Sequence, residues 1–220
     1  MGREVIKFEL TVYLWTVTLY LNLSYYNRLK TFEEISSLLS SKDSILSLTP
    51  SIILSFIDLS AGRIQDSNTK VAALCLQNLI LCIDNHVTLL GERLDSILPI
   101  IFTLLSDSRQ RVREKSEEFL SAIKGSYSPI TIVSLLCPRL SDVPEWVKAS
   151  VLQFVASVVP HCEEYFGQAV NTLALLNRLS NMLGALGNKP SVSLIAAGRR
   201  LLELLFSVSK QVDHKILPYN

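Results

Sequence analysis

Glycine and proline are scarce in this chain, at 8 of each among 220 residues. Folds built from many short strands need turn residues every few positions, so the scarcity argues for long helices instead. An excess of charge of one sign is also missing. Lysine and arginine total 21, aspartate and glutamate 20, and the net charge is +1. Bulk attraction to nucleic acid or to an anionic membrane needs a basic surplus, so neither partner is expected. Cysteine is limited to Cys75, Cys82, Cys137 and Cys162, with no C-x-x-C pair, and three scattered histidines add no metal-ligand spacing. Cys75 and Cys82 stand seven apart among leucines, the pattern of buried, reduced thiols. No metal or other cofactor is expected.

Signatures of catalysis are absent as well. There is no G-x-S-x-G, phosphate-binding loop, dinucleotide glycine pattern or H-E-x-x-H. The adjacent acids Glu117-Glu118 and Glu163-Glu164 point about 100° apart on a helix and do not converge. His161 beside Cys162 follows Pro160 at a helix end, and adjacency does not make the two face one another as a nucleophile and its base must. The chain does not read as an enzyme. A clean membrane-length run is lacking at the N-terminus too. Residues 8–23 are apolar-rich but carry Glu9, Thr11, Thr16, Thr18 and Asn22, fall short of the ~20 apolar residues of a span, and precede no small-residue cleavage site. Phe8, Leu10, Val12 and Leu14 alternate as in a strand, yet the neighbouring pattern favours a helix. A cytoplasmic chain is expected.

What is present is repetition. Hydrophobic residues make up 49% of the chain and recur at helical spacing. Four segments each end an apolar run, turn briefly through polar residues and begin a second run near a valine. They are centred on Asp66, Asp107, Asp142 and Asn188, spaced by 41, 35 and 46 residues. Paired-helix repeats of the HEAT and armadillo kind run ~40–47 residues. Around the turns, Ile52, Ile53, Phe56, Ile57 and Leu59 form one stripe, and Val71, Leu74, Cys75, Asn78, Leu79 and Cys82 its partner. Comparable stripes are Ile97 to Leu105 with Val112, Phe119, Leu120 and Ile123, then Ile130 to Leu140 with Val147 to Val158. The last pairs Leu173 to Leu183 with Ile195, Leu201, Leu202, Leu205 and Val208. Pro50, Pro99 and Pro129 fall in or near first turns, Gly125 and Gly187 at helix exits. Asp66, Ser67 and Asn68, and then Asp107 and Ser108, offer N-cap oxygens. The expected fold is all-α, one α-solenoid spanning 1–220 with about five helix pairs, near 4–40, 45–84, 95–124, 128–160 and 166–210.

A solenoid of this kind places its within-pair turns along one ridge. That ridge would carry Tyr25, Tyr26 and Arg28; Arg63, Asn68 and Lys70; Arg109 and Arg111; Trp146 and Lys148; and Lys189. Each turn opens onto the N-terminus of a helix, where free N–H groups hold partial positive charge. Basic side chains on such a row suit an acidic protein surface, with an aromatic as anchor. Two plainer roles compete: solubilising surface cations, and an Asp107–Arg113 ladder pair locking adjacent repeats, with Trp146 packed inside.

Five of these turns, in order, resemble those of the TOG domain, the tubulin-binding HEAT array of the CLASP and related microtubule-regulator families. Tyr25-Tyr26-Asn27-Arg28-Leu29 with Glu33-Glu34-Ile35 looks like the first turn, where a tryptophan is usual. Asp66-Ser67-Asn68-Thr69-Lys70-Val71 is similar to the second, and Asp107 to Glu114, with its Arg109, to the third. Pro144-Glu145-Trp146-Val147-Lys148-Ala149 resembles the fourth, and Asn188-Lys189-Pro190 with Val192 the fifth. The family has six pairs where about five are read here. The resemblance implies a non-catalytic, microtubule-associated module of a larger chain, monomeric and cytoskeletal, whose ridge binds αβ-tubulin. On that reading Tyr26 or Tyr25 anchors, Asn68 and Lys70 make polar contacts, and Arg109 and Lys189 meet carboxylates. Arg28, Arg111 and Trp146 complete the expected surface. The competing reading is a HEAT-type scaffold for a different protein.

Overall fold

The computed structural model describes residues 24–41, 48–136, 143–160 and 191–216, together with Asn177, Ser180, Asn181 and Gly184. All regular structure among these residues is helical, in eight helices. The expected helices over residues 4–23 and 166–186 lie outside the described residues, apart from the four isolated helical positions. The chain divides into two compact units, Met1–Ser126 and Tyr127–Asn220.

The first unit holds α1 (Tyr25–Ser40), α2 (Pro50–Ala61), α3 (Thr69–Gly91), α4 (Leu94–Leu104) and α5 (Gln110–Ser126). Helix α3 is its centre and packs against α1, α2 and α5. That position explains the breadth of its apolar face, which three neighbours cover, while Lys70, Asp84, Asn85 and Thr88 keep a narrow exposed side. Val71, Ala72, Ala73, Cys75, Leu76, Leu79, Ile80, Cys82 and Ile83 are all buried. By length and composition α3 could cross a membrane; here three neighbouring helices take up its apolar surface. Phe32, Phe56, Phe102 and Phe119, one each from α1, α2, α4 and α5, are fully enclosed around it. Each contributes roughly 1.5–3 kcal/mol through the area it removes from water.

Two side-chain bonds fix the direction of α1 against α3. Asn78 Nδ2 donates to the Phe32 carbonyl at 3.1 Å, and Asn85 Nδ2 to the Leu39 carbonyl at 3.4 Å. Both pairs are 46 residues apart, so the two helices advance together and run parallel. Helix α5 runs the same way beside α3. Arg109, just before α5, reaches the carbonyls of Asp66 and Ser67 just before α3, and farther along Lys115 donates to Gln77 at 2.6 Å. The helices α2 and α4 pack on α3 and α5. Pro50 opens α2 as expected, whereas Pro99 lies inside α4 in its second turn. Helical dihedrals break within α3 at His86, with φ −142° and ψ 44°. Burial there lowers the imidazole pKa.

In the second unit, α6 (Pro129–Leu136) packs on α7 (Glu145–Val158), and α7 on α8 (Val192–Ile216). Glu145 Oε1 accepts from the Ser191 N–H at 3.1 Å, which sets the starts of α7 and α8 side by side. The buried stripe of α8 differs from the expected one. Leu194, Ala197 and Leu201 face inward, while Ile195 and Leu202 stand exposed with Val192 and Phe206. Two apolar stripes lie on this helix, and hydrophobicity alone does not say which one its neighbour covers.

Candidate protein-binding edge

Because α1, α3 and α5 are parallel, their N-termini line one edge of the first unit. Local chemistry builds each start. Asn68 has extended backbone, and its Oδ1 accepts from the N–H groups of Lys70 and Val71 at 3.0 and 3.3 Å, capping α3. Asp66 was expected to share that role and takes a different one. Its Oδ1 accepts from Asn68 N–H at 2.9 Å, and its carboxylate is otherwise turned inward. At the third turn, Asp107 Oδ1 accepts from Arg109 N–H at 2.8 Å.

The expected contact residues separate into two groups. Tyr26, Lys70 and Arg111 are exposed, and each is the second residue of its helix, in α1, α3 and α5 respectively. Tyr25 beside Tyr26 is 56% exposed and Tyr26 65%. Sequence spacing placed the two tyrosines in a turn; they form the first turn of α1 instead. In the second unit Trp146 repeats the position as the second residue of α7, and at 56% exposure it is not packed in the core.

The other cations are committed to building the edge. Arg28 is buried, and its Nε and Nη2 donate to the two oxygens of Asp66 at 2.9 and 3.0 Å. Its expected role as a surface contact gives way to this one: four residues into α1, its side chain turns toward α3 rather than solvent. Arg109 is half-buried. Its Nε and Nη2 fork onto Asp107 at 2.9 and 2.8 Å, and its Nη1 spans to the Asp66 carbonyl at 2.6 Å. The hydrogen bond from Arg109 holds the Asp107 carboxyl down at about 2, and Asp107 in turn holds Arg109 more firmly protonated. The ladder between neighbouring turns is therefore made by Arg109. Arg113, expected to make it with Asp107, bonds the carbonyls of Asp107 and Ser108 in its own turn. Lys189 lies outside the described residues.

No family model matches the chain, and no curated protein does. The site must be read from its own residues. Its exposed chemistry is an aromatic pair followed by two cations on neighbouring helices, whose axes in packed pairs lie ~8–10 Å apart. The helix starts add partial positive charge from backbone N–H groups. Such a surface can bury an aromatic anchor and meet carboxylates. Among the described residues no three His, Cys, Asp or Glu side chains gather as metal ligands do. Glu118 pairs with Lys115 at 2.5 Å on the flank of α5, away from the helix starts. The Cys75 and Cys82 thiols are raised by burial, Cys82 to about 12. Thiols held protonated in this way are packing groups rather than nucleophiles. The pair His161 and Cys162 lies outside the described residues.

Proposed function

We propose that this chain is a non-catalytic binding module whose helix-start edge docks on an acidic protein surface, and that the surface is αβ-tubulin. One observation carries the reading: Tyr26, Lys70 and Arg111 occupy the same helical position in three parallel helices, and all three are exposed. Parallel second helices flanked by α2 and α4 also support stacked HEAT-type pairs, and with them the solenoid that the repeats imply. The partner's name rests on the resemblance of the five turns to TOG domains, which also implies a cytoplasmic, microtubule-associated setting. On this reading Tyr25 and Tyr26 anchor, Lys70 and Arg111 meet carboxylates, and Trp146 supplies an anchor in the second unit. Arg28 and Arg109 hold the edge together.

The test is co-elution with purified αβ-tubulin by size exclusion at low salt. Wild-type protein is compared with a Tyr26→Ala, Lys70→Glu, Arg111→Glu variant whose helicity is checked by circular dichroism. The wild type is expected to shift tubulin and the variant to leave it unshifted. No shift by the wild type at tens of micromolar, a binding energy near 6–7 kcal/mol, removes tubulin as the partner. One observation favours a second reading, a scaffold whose partner sits elsewhere. Ile195, Leu202 and Phe206 are large apolar side chains exposed along α8, beyond its first turn.

A further inference from the structure

We propose that Asp66, which is too buried to touch a partner, is the positioning residue of the helix-start edge. Its side chain is 2% exposed. Its carboxylate takes two bonds from Arg28 in α1, one from the Asn68 N–H that precedes α3, and stands 3.9 Å from Arg63 Nη1. Its carbonyl takes the 2.6 Å bond from Arg109 at the start of α5. Asp66 thus touches the structures that carry all three contact points: the first turns of α1 with Tyr25 and Tyr26, the cap of α3 with Lys70, and the entry to α5 with Arg111. Arg28 and Arg109 share Asp66 as a partner, one through its carboxylate and the other through its carbonyl.

Energy alone does not explain the arrangement. Burying a carboxylate and a guanidinium costs desolvation that their attraction repays only with good geometry, and apolar residues of similar volume commonly serve stability as well or better. What an apolar pair cannot do is aim. Two parallel hydrogen bonds between planar groups fix distance and orientation together, and binding gains when contact groups are held in place beforehand. Asp66 then acts on recognition through Tyr26, Lys70 and Arg111. This inference rests on the binding-edge reading, but part of its test does not.

The informative variant is Arg28→Met with Asp66→Leu, in the full chain. It replaces the buried ion pair with apolar side chains and is expected to melt within a few degrees of the wild type. Hydrogen exchange is followed at the backbone amides that close the first turns: Asn27 and Arg28 in α1, Val112 and Arg113 in α5. Exchange at both sites is expected to quicken at least tenfold although stability is kept. Unchanged exchange in a stable variant overturns the proposal, and so does a change confined to α1, because the relay to α5 is then absent. If the double variant does not fold, Asp66→Asn, which keeps an oxygen for Asn68 and loses the charge, is read in the same way. Tubulin co-elution forms the second arm. A wild type that binds is expected to lose at least tenfold affinity in the double variant, and binding retained there also overturns the proposal. A wild type that does not bind removes the tubulin reading, while the exchange data still decide the role of Asp66.

Discussion

Asn78 crosses from α3 to donate its amide to the Phe32 carbonyl in α1, at 3.1 Å and sealed from solvent. The bond is polar, local and central, and it sits beside one of the largest enclosed side chains of the core. Its Oδ1 has no hydrogen-bond partner among the described residues. The Phe32 carbonyl, mid-helix, keeps its own bond within α1 when Asn78 is removed. Asn78→Leu is therefore expected to stay within about 1 kcal/mol of wild-type stability, because a lost hydrogen bond is offset by a lost orphan. Phe32→Ala, which empties a packed site, is expected to cost about 3–5 kcal/mol. Urea unfolding separates the two, and equal losses would show that Asn78 holds more than a register.

The cap of α3 is testable by itself. Asn68 Oδ1 satisfies two backbone N–H groups that have no partner within the helix. Asn68→Ala is expected to lower stability by about 1 kcal/mol, with Asn68→Ser recovering most of it. Thermal unfolding of the two variants gives the comparison, and an alanine variant as stable as the serine one argues that the cap is idle.

Asp107 predicts an acid limb. Its folded pKa of about 2 lies below the ordinary aspartate value of 3.8, so the unfolded chain takes up a proton first as pH falls. The stabilisation from its hydrogen bond with Arg109 is complete above about pH 4 and is lost progressively down to about pH 2. Urea midpoints measured across that window should fall in the wild type and fall less steeply in Asp107→Asn. Parallel slopes in the two proteins would remove Asp107 as a source of the limb.

The thiols report on the core of the first unit. In a chain carrying serine at 137 and 162, Cys75 and Cys82 are expected to resist a disulfide reagent at pH 8, since burial keeps both protonated and covered. Both should react at once in guanidinium. Stoichiometric reaction of the native chain within minutes would contradict the packing of α3 between its neighbours.

Helical class and most core positions of the first unit were legible in the sequence, because the 3.6-residue period marks the inward face of a half-covered helix. The period understates α3. Val71, Cys75, Asn78, Leu79 and Cys82 of the expected stripe are buried and Leu74 only partly so, while Ala72, Ala73, Leu76, Ile80 and Ile83 are buried outside it, since contact with three helices widens the inward face and leaves only a narrow outward one. On α8 the same signal pointed to Ile195 and Leu202, which the structure exposes. Candidate site residues were legible as a set but not in their roles. Arg28, Lys70, Arg109 and Arg111 are alike as letters. Which of them faces Asp66 or Asp107, and which faces water, depends on the parallel register of α1, α3 and α5. Asp66 itself stands in the expected turn with a different duty, for the capping pattern allows any of Asp66, Ser67 and Asn68 to close the helix, and Asn68 does.

The parallel course of α1, α3 and α5 has an electrical consequence. The dipoles of the parallel α1, α3 and α5 point one way, partly offset by the shorter α2 and α4 that lead into the same turns, so a chain of net charge +1 keeps a net dipole along these helices in its first unit. In the field of an acidic partner such a particle feels a torque before it feels a contact. It rotates helix starts first over roughly the Debye length, about 8 Å at physiological salt. On the proposed binding reading, collisions then begin in the productive orientation, and the association rate is expected to fall as salt is added even though almost no net charge is there to screen.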